Sequence, residues 1–138
     1  MNKVFLDANI ILDLLDSTRN NHSFSLKVFE KLIDQNYQIV ISEDLLTTIY
    51  YIIKNKKAVL EFYELVVEQW EIVSFGKNII TDAIFICKED SDLDFEDVIQ
   101  SLSAKKSDCS LIITNDKKFF NCGVPVLSSE EFLIPDIE

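Results

Sequence analysis

The sequence predicts an α/β fold, a three-layer sandwich with a central, mostly parallel sheet of short strands. Short apolar runs alternate along the chain with amphipathic helical patterns, and this alternation is typical of a parallel sheet covered by helices on both faces. The chain has 138 residues, of which 48% are hydrophobic, and it can therefore bury one core. Only two glycines and two prolines occur, which favours regular elements joined by short connections. We therefore expect residues 1–138 to form a single domain.

Five runs have the apolar, β-branched composition of strands. They are residues 4–6, 38–41, 71–74, 110–113 and 125–127. All five are short enough to be buried strands. The first is followed by a helix that starts near Ile10.

The longer segments repeat apolar side chains at helical spacing, as Phe24, Val28 and Leu32 do in the first of them. This pattern predicts amphipathic helices that turn one face to the sheet. The predicted helices are residues 23–35, 43–54, 58–69, 79–88 and 95–105.

The formal net charge of −11 constrains the function. A protein that binds nucleic acid by neutralising phosphates needs a positive surface, so this charge taken alone counts against nucleic acid. Carboxylates that hold a divalent cation are one exception, because the bound metal reverses the local field and bridges to phosphate. A basic partner protein is another.

The sequence also indicates a location. The first residues are interrupted by Asp7 and Asp13 and contain no small-residue cleavage site, so they do not form a secretory signal. No run approaches membrane-spanning length. Cys87, Cys109 and Cys122 are odd in number and share no Cys-x-x-Cys spacing, which favours free thiols in a reducing compartment. We expect a soluble, cytoplasmic protein that does not contact a membrane.

Polar residues follow three of the predicted strands directly. In an open parallel sheet, ligands bind outside the carboxyl ends of the strands, near the point where the strand order reverses. Asp7 and the nearby Asn9 follow the first strand, Ser42 the second, and Thr114 and Asp116 the fourth. We expect these side chains to gather at one rim of the sheet.

Asp94 and Asp97 stand three positions apart at the start of a predicted helix, so both carboxylates can project from its first turn. Helix capping explains the same spacing, with Asp94 as the cap and acidic residues near the positive end of the helix dipole. Capping also offers an alternative for Asp7, and Asp116 suits a cap or a turn. Spacing alone leaves these alternatives open.

Convergence of four carboxylates favours a metal site. Acids gathered at one rim raise each other's pKa values unless a divalent cation neutralises them, and hard oxygen ligands select Mg²⁺ or Mn²⁺. Such a cation can activate water for attack on a phosphodiester, so no catalytic histidine is needed. The chain's one histidine, His22, lies in a polar stretch and is predicted to be solvated.

Two motifs resemble those of PIN domains: VFLDANIILDLL near the start and DFEDVIQSLSAKKSDCSLIITNDKKF at residues 94–119. The closing strand and helix are also similar, so the resemblance extends over essentially the whole chain. It implies a central parallel sheet and Mg²⁺- or Mn²⁺-dependent ribonuclease activity, often as the toxin of a VapC-like toxin–antitoxin pair. The implied partners are an RNA substrate and an antitoxin protein.

The resemblance also implies roles for individual residues. The family's metal-site acids are matched by Asp7, Asp97 and Asp116. Asp94 matches an acid common in one branch, and Asn9 and Thr114 match supporting polar positions, as does Ser42 at the end of the second strand.

One family position departs from the pattern. A glutamate usually stands about six residues after the serine that ends the second strand, and Thr48 occupies that position here. Only a shifted register would bring Glu43 into the site. One carboxylate fewer weakens metal affinity, so catalysis is expected to be slow or absent. Two functions therefore stay open: a metal-dependent ribonuclease, and a weak or inactive PIN-like module that binds RNA or protein.

Other features have simpler interpretations. Two lysine groups suit RNA contacts but more often are helix C-terminal charges or solvated faces. They are Lys54, Lys56 and Lys57, and Lys105, Lys106, Lys117 and Lys118. A set of aromatic residues on the central helices suits core packing or the face of a homodimer better than base stacking. They are Tyr50, Tyr51, Phe62, Tyr63 and Trp70.

Phospho-accepting domains also place aspartates at a sheet rim. The dehalogenase-like pattern needs an aspartate two residues beyond the first, where this chain has Asn9. Receiver domains need an aspartate after their third strand, where Ser74 stands. Asn9 and Ser74 therefore argue against a phospho-accepting domain.

Overall fold

The computed structural model describes residues 2–134, which form five strands and seven helices. In chain order they are β1 (Lys3–Leu6), α1 (Ala8–Leu15), α2 (His22–Asp34), β2 (Gln38–Ser42), α3 (Asp44–Ile52), α4 (Lys56–Gln69), β3 (Glu71–Val73), α5 (Gly76–Glu89), α6 (Phe95–Lys106), β4 (Leu111–Ile113), β5 (Val126–Leu127) and α7 (Ser129–Leu133). All five predicted strands are confirmed within one or two residues.

The five strands form one sheet in the order β3-β2-β1-β4-β5, and every pair of neighbours is parallel. The central strand β1 places Val4 beside Ile39 of β2 and beside Leu111 of β4. The chain first builds outward through β2 and β3 and then crosses to the other side of β1. The strand order therefore reverses at β1, and the crevice outside the carboxyl ends of β1 and β4 is where a ligand site is expected.

Alternate residues of each strand fill the two sides of the sheet. Val4, Ile39 and Ile113 lie on one side, in a buried cluster with residues of α1, α2, α3, α4 and α7. Phe5 and Ile112 lie on the other, in a cluster that includes Ala104 of α6. Helix α5 packs against α6. Helices thus cover both sides, which confirms the predicted three-layer α/β fold.

Helix boundaries differ from the predictions at several ends. Helix α1 begins at Ala8, because Asp7 caps it, and not near Ile10. Helix α3 ends at Ile52, since Ile53 has extended backbone angles. Helix α5 begins at Gly76, three residues earlier than the apolar pattern indicates. No helix within residues 2–134 combines the length and the apolar character that a membrane crossing requires.

The aromatic residues of the central helices divide into two groups. The Trp70 ring stacks on the Phe29 ring with 5.7 Å between their centroids, and it meets the Phe62 ring edge-on with 5.5 Å between centroids. The prediction of core packing is therefore confirmed for Phe62 and Trp70. The hydroxyl of Tyr63 donates to the Leu46 carbonyl oxygen at 2.6 Å. Tyr51, in contrast, is 88% exposed.

Two polar predictions have different outcomes. The Lys56 ammonium donates to the Ile53 carbonyl oxygen at 2.6 Å, just past the end of α3, so this lysine has the predicted helix C-terminal role. His22 is half-buried at the start of α2, and its Nδ1 lies 2.8 Å from the Asp13 carbonyl oxygen. The prediction of a solvated histidine is therefore wrong, because α1 and α2 pack against each other at this point.

We expect Ile112→Ala to lower the free energy of unfolding by about 2–5 kcal/mol, because it leaves a cavity in a strand beside the sheet centre. Ile112 is 0% exposed. The matched control is Ile33→Ala on α2, where the side chain is 68% exposed and the change should stay within about 0.5 kcal/mol. Urea denaturation measures both. Equal losses in the two variants would contradict the assignment of the core.

Candidate metal centre

Asp7 lies at the carboxyl end of the central strand and is 8% exposed. Its Oδ1 accepts the Ala8 backbone N–H at 2.8 Å, which caps α1. Its Oδ2 accepts the Thr114 hydroxyl at 2.7 Å and the Asn9 amide at 3.0 Å. Asp7 is thus both a helix cap and a member of a polar network at the rim, so the two predicted roles coexist.

The same network joins the ends of β1 and β4. The Thr114 hydroxyl oxygen accepts the Asn9 amide at 3.2 Å and the Asp116 backbone N–H at 3.1 Å. The Asn9 amide oxygen accepts the Asn115 backbone N–H at 3.1 Å. These bonds fix the turn that carries Asp116, so Asn9 and Thr114 support the rim as their positions predict.

Asp94 and Asp97 have different surroundings despite their similar spacing. Asp94 is exposed and caps α6, because its Oδ1 accepts the Asp97 backbone N–H at 3.1 Å. Asp97 itself is half-buried, and the neighbouring Asp116 carboxyl group is among the causes that raise its pKa. Asp116 also accepts the Lys118 backbone N–H at 3.0 Å, as a turn aspartate does. Capping is therefore confirmed for Asp94 and turn formation for Asp116.

The electrostatics link these acids. Burial, the neighbouring Asp116 carboxyl group and the charges of Asp7 and Asp94 raise the pKa of Asp97 to about 8. Burial also raises the pKa of Asp7, and the charge of Asp116 adds to this, although the bonds from Thr114, Ala8 and Asn9 oppose it. Like charges brought together thus favour protonation at neutral pH.

The donor set suits a hard divalent cation, because every acid at the rim offers carboxylate oxygen. Within residues 2–134, no group of three or more acidic, cysteine or histidine side chains is already arranged to hold a metal ion. The raised pKa of Asp97 instead reflects its burial and the neighbouring carboxyl groups. A divalent cation bound at this rim would offset the repulsion between the acids.

Ser42 and Gln100 have contacts near the rim that the sequence prediction missed. Ser42 is fully buried at the end of β2, and its hydroxyl contacts Asp44 and lies 2.9 Å from the Gln100 amide oxygen. Gln100 donates to both carboxylate oxygens of Asp44. Glu96 has a raised pKa, because of burial and the charges of Asp44, Asp7 and Asp94. One sequence signal was present: Glu96 and Gln100 lie on one side of the helix that carries Asp97.

Thr48 and Glu43 do not supply the missing acid. The Thr48 hydroxyl donates to the Asp44 backbone carbonyl at 3.3 Å, within its own helix. Glu43 is exposed and accepts the Ser74 hydroxyl at 3.0 Å, beyond the end of β3. The shifted register that would bring Glu43 into the site is therefore not adopted.

A groove of about 420 Å³ adjoins the rim beside Asp116. Phe24 of α2 lies on one wall and is 36% exposed. Lys117 and Asn121 add polar groups to the lining. The groove therefore offers an aromatic ring, a lysine ammonium group and a side-chain amide next to the acids.

Comparison with known proteins agrees with this architecture. The chain is 39% identical over 133 residues to ribonuclease VapC1 of Aquifex aeolicus (strain VF5), and the alignment covers 94% of this chain and 92% of the relative. The fold is similar to that of VapBC2 from Rickettsia felis, solved with a DNA fragment from their promoter, with a TM-score of 0.68, 16% identity, and 91% and 98% of the two chains covered.

A second solved structure shows the same fold. It is VapC20 of Mycobacterium tuberculosis, described as a sarcin-ricin loop cleaving toxin, with a TM-score of 0.69, 11% identity, and 84% and 92% of the two chains covered. At such low identity, both structures show the fold alone. The sequence model of the PIN domain matches residues 4–124. On this match and on the identity with the Aquifex protein, the chain belongs to the PIN domain family.

Proposed function

We propose that this protein is a metal-dependent ribonuclease of PIN type and the toxin of a toxin–antitoxin pair. The observation that carries the proposal is the gathering of Asp97 and Asp116 around the buried Asp7, with the Asp116 turn tied to Asp7 through Thr114, at the point where the strand order reverses. Structural aspartates do not need to meet in this way, and their meeting is costly without a cation. The relative named ribonuclease VapC1 supports the same activity.

In this proposal Asp7, Asp97 and Asp116 hold Mg²⁺ or Mn²⁺, and Asp94 assists from the start of α6. The bound cation supplies the positive charge that binds an RNA phosphate and lowers the pKa of the attacking water. The protein contributes position: Asn9 and Thr114 orient Asp7, and the Asp116 turn is tied to Thr114. The raised pKa of Asp97 allows its carboxyl group to keep a proton until the cation enters.

A catalytically weak domain that binds RNA or protein is the alternative, and Thr48 favours it, because the usual glutamate is missing there. Both functions use the same rim. Metal affinity and RNA cleavage distinguish them.

An antitoxin partner is supported by the solved neighbours, several of which are toxin–antitoxin complexes. Apolar side chains at the end of α3 and on α4 provide surface for a protein partner or a second copy of the chain. They include Tyr51 at 88%, Ile52 at 50% and Val67 at 67% exposure. We place the protein in the cytoplasm, since the cysteines at positions 87, 109 and 122 are free thiols.

We expect purified protein to cleave single-stranded or hairpin RNA with Mg²⁺ or Mn²⁺, and Asp7→Asn to reduce cleavage to the level seen with chelator. Asp82→Asn, an exposed acid on α5, is the matched control and should retain activity. Gel analysis of labelled RNA measures both. If the native chain is inert and Thr48→Glu gains metal-dependent cleavage, the protein is a degenerate nuclease with a binding role. Inert variants throughout, with no metal bound, would contradict the nuclease proposal.

The stability of the metal-free protein should fall between pH 6 and pH 8. The folded-state pKa of Asp97, about 8, lies above the unfolded value of about 4, so the folded state binds more protons in this range and loses stability as pH rises. Asp97→Asn should flatten this dependence and raise the melting temperature at pH 8 in chelator, whereas Asp82→Asn should not. Mn²⁺ should then stabilise the native chain more than Asp97→Asn. Identical pH profiles for the native chain and Asp97→Asn would contradict the proposed repulsion between Asp97 and the other rim acids.

The groove beside Asp116 is proposed to bind an RNA base against Phe24. Phe24→Ala should weaken RNA binding by about 1–3 kcal/mol, the loss typical of one base–aromatic stack. Phe85→Ala on α5 is the matched control, because Phe85 is 67% exposed and does not line the groove. Fluorescence anisotropy with a non-cleavable RNA analogue and Mg²⁺ measures binding without cleavage. Equal RNA affinities for Phe24→Ala and Phe85→Ala would show that the groove does not bind the RNA.

A further inference from the structure

Asp44 is the first residue of α3 and is half-buried, and its side chain does not cap the helix. Both of its carboxylate oxygens accept the Gln100 amide nitrogen, at 3.2 and 3.1 Å. The Ser42 hydroxyl contacts Oδ1 as well. The carboxylate is therefore held by side chains of β2 and α6, and Oδ2 still has acceptor capacity that these bonds do not use.

Gln100 restricts the orientation of the Asp44 carboxylate because the Gln100 side chain is itself fully buried, at 0% exposure. A buried amide that lost its partner would carry a desolvation cost, so the Gln100 side chain strongly favours the orientation in which it grips Asp44. The amide oxygen of Gln100 lies 2.9 Å from the Ser42 hydroxyl, which fixes the other end of the group. Asp44 is thus held in a defined orientation.

Asp44 lies just past the carboxyl end of β2, the strand that pairs in parallel with β1, and Asp7 follows β1 at the same end of the sheet. Gln100 lies one helical turn beyond Asp97 on α6, so its face of the helix is continuous with that of the rim acids. Gln100 therefore holds Asp44 at the same end of the sheet as the rim acids, from the helix that carries Asp97.

Helix geometry relates Asp44 to the position that Thr48 occupies. The two residues are four positions apart on α3 and lie on one face, with the Thr48 hydroxyl bonded to the Asp44 carbonyl oxygen. Side chains on a helix tilt toward its N-terminus, so a long glutamate at position 48 would reach back over the first turn. A shorter aspartate at position 44 starts one turn nearer the rim.

We propose that Asp44 supplies the carboxylate that is missing at Thr48, and that it binds the divalent cation together with the rim acids, with Gln100 as its positioning residue. This inference rests on the proposed metal-dependent function and names a further residue of the same site. It explains how α3 contributes a carboxylate to the site without a glutamate at position 48.

The test is Mn²⁺ binding to the metal-free protein by isothermal titration calorimetry, without RNA. Asp44→Asn keeps the size of the side chain and an oxygen for Gln100, and it should weaken Mn²⁺ binding on the order of 10- to 100-fold. Glu43→Gln, one residue away and directed to Ser74, is the matched control and should bind like the native chain. Thr48→Glu in the Asp44→Asn background should recover affinity.

The outcomes separate this inference from the proposed function. If Asp7→Asn loses Mn²⁺ but Asp44→Asn binds normally, the metal centre stands and Asp44 is not part of it. If the native chain binds no Mn²⁺, both proposals fail. A melting temperature in chelator that falls for Asp44→Asn while Mn²⁺ affinity is unchanged would assign Asp44 a structural role and overturn the inference. Unchanged stability with weakened binding supports it.

Discussion

The burial of one carboxylate at the centre of the sheet determines the arrangement of the rim. Asp7 follows three strand residues that are 0% exposed and is itself 8% exposed, so its side chain stands at the edge of the core. A carboxylate in that position needs hydrogen-bond donors, because an unpaired buried charge is strongly unfavourable. Thr114, Asn9 and the Ala8 backbone supply them, and each ties a neighbouring element to β1.

The acids around Asp7 create a tension between folding and function. Burial and the neighbouring carboxyl groups of Asp116, Asp7 and Asp94 raise the pKa of Asp97 to about 8. A chain selected for stability alone would not gather these groups, since mixed or separated charges avoid the repulsion. Strain of this kind concentrates at functional sites and is offset by packing elsewhere. Here the offset comes from the two buried clusters on either side of the sheet.

Much of this architecture could be predicted from the sequence, because its signals are local. Short apolar runs located all five strands, and the residues that follow them located Asp7, Thr114 and Asp116. The contact between Asp44 and Gln100 could not be predicted in this way. The two residues are 56 positions apart, and they meet only because α6 packs against the end of β2. The sequence also predicted the start of α1 two residues too late, near Ile10. Asp7 caps the helix and belongs to the rim at the same time, and the sequence pattern does not show that both roles fall on one residue.

The acidity of the chain also determines how it would meet RNA. With a net charge of −11, the surface as a whole repels phosphate, so attraction has to be local. A divalent cation at the rim reverses the field where the acids are densest, and Lys117 extends that positive region into the groove beside Asp116. The rest of the surface then opposes nonspecific binding. RNA would bind at the rim when the cation is present, and the remaining acidic surface would repel it. Occupancy of the metal centre would therefore control both recognition and cleavage.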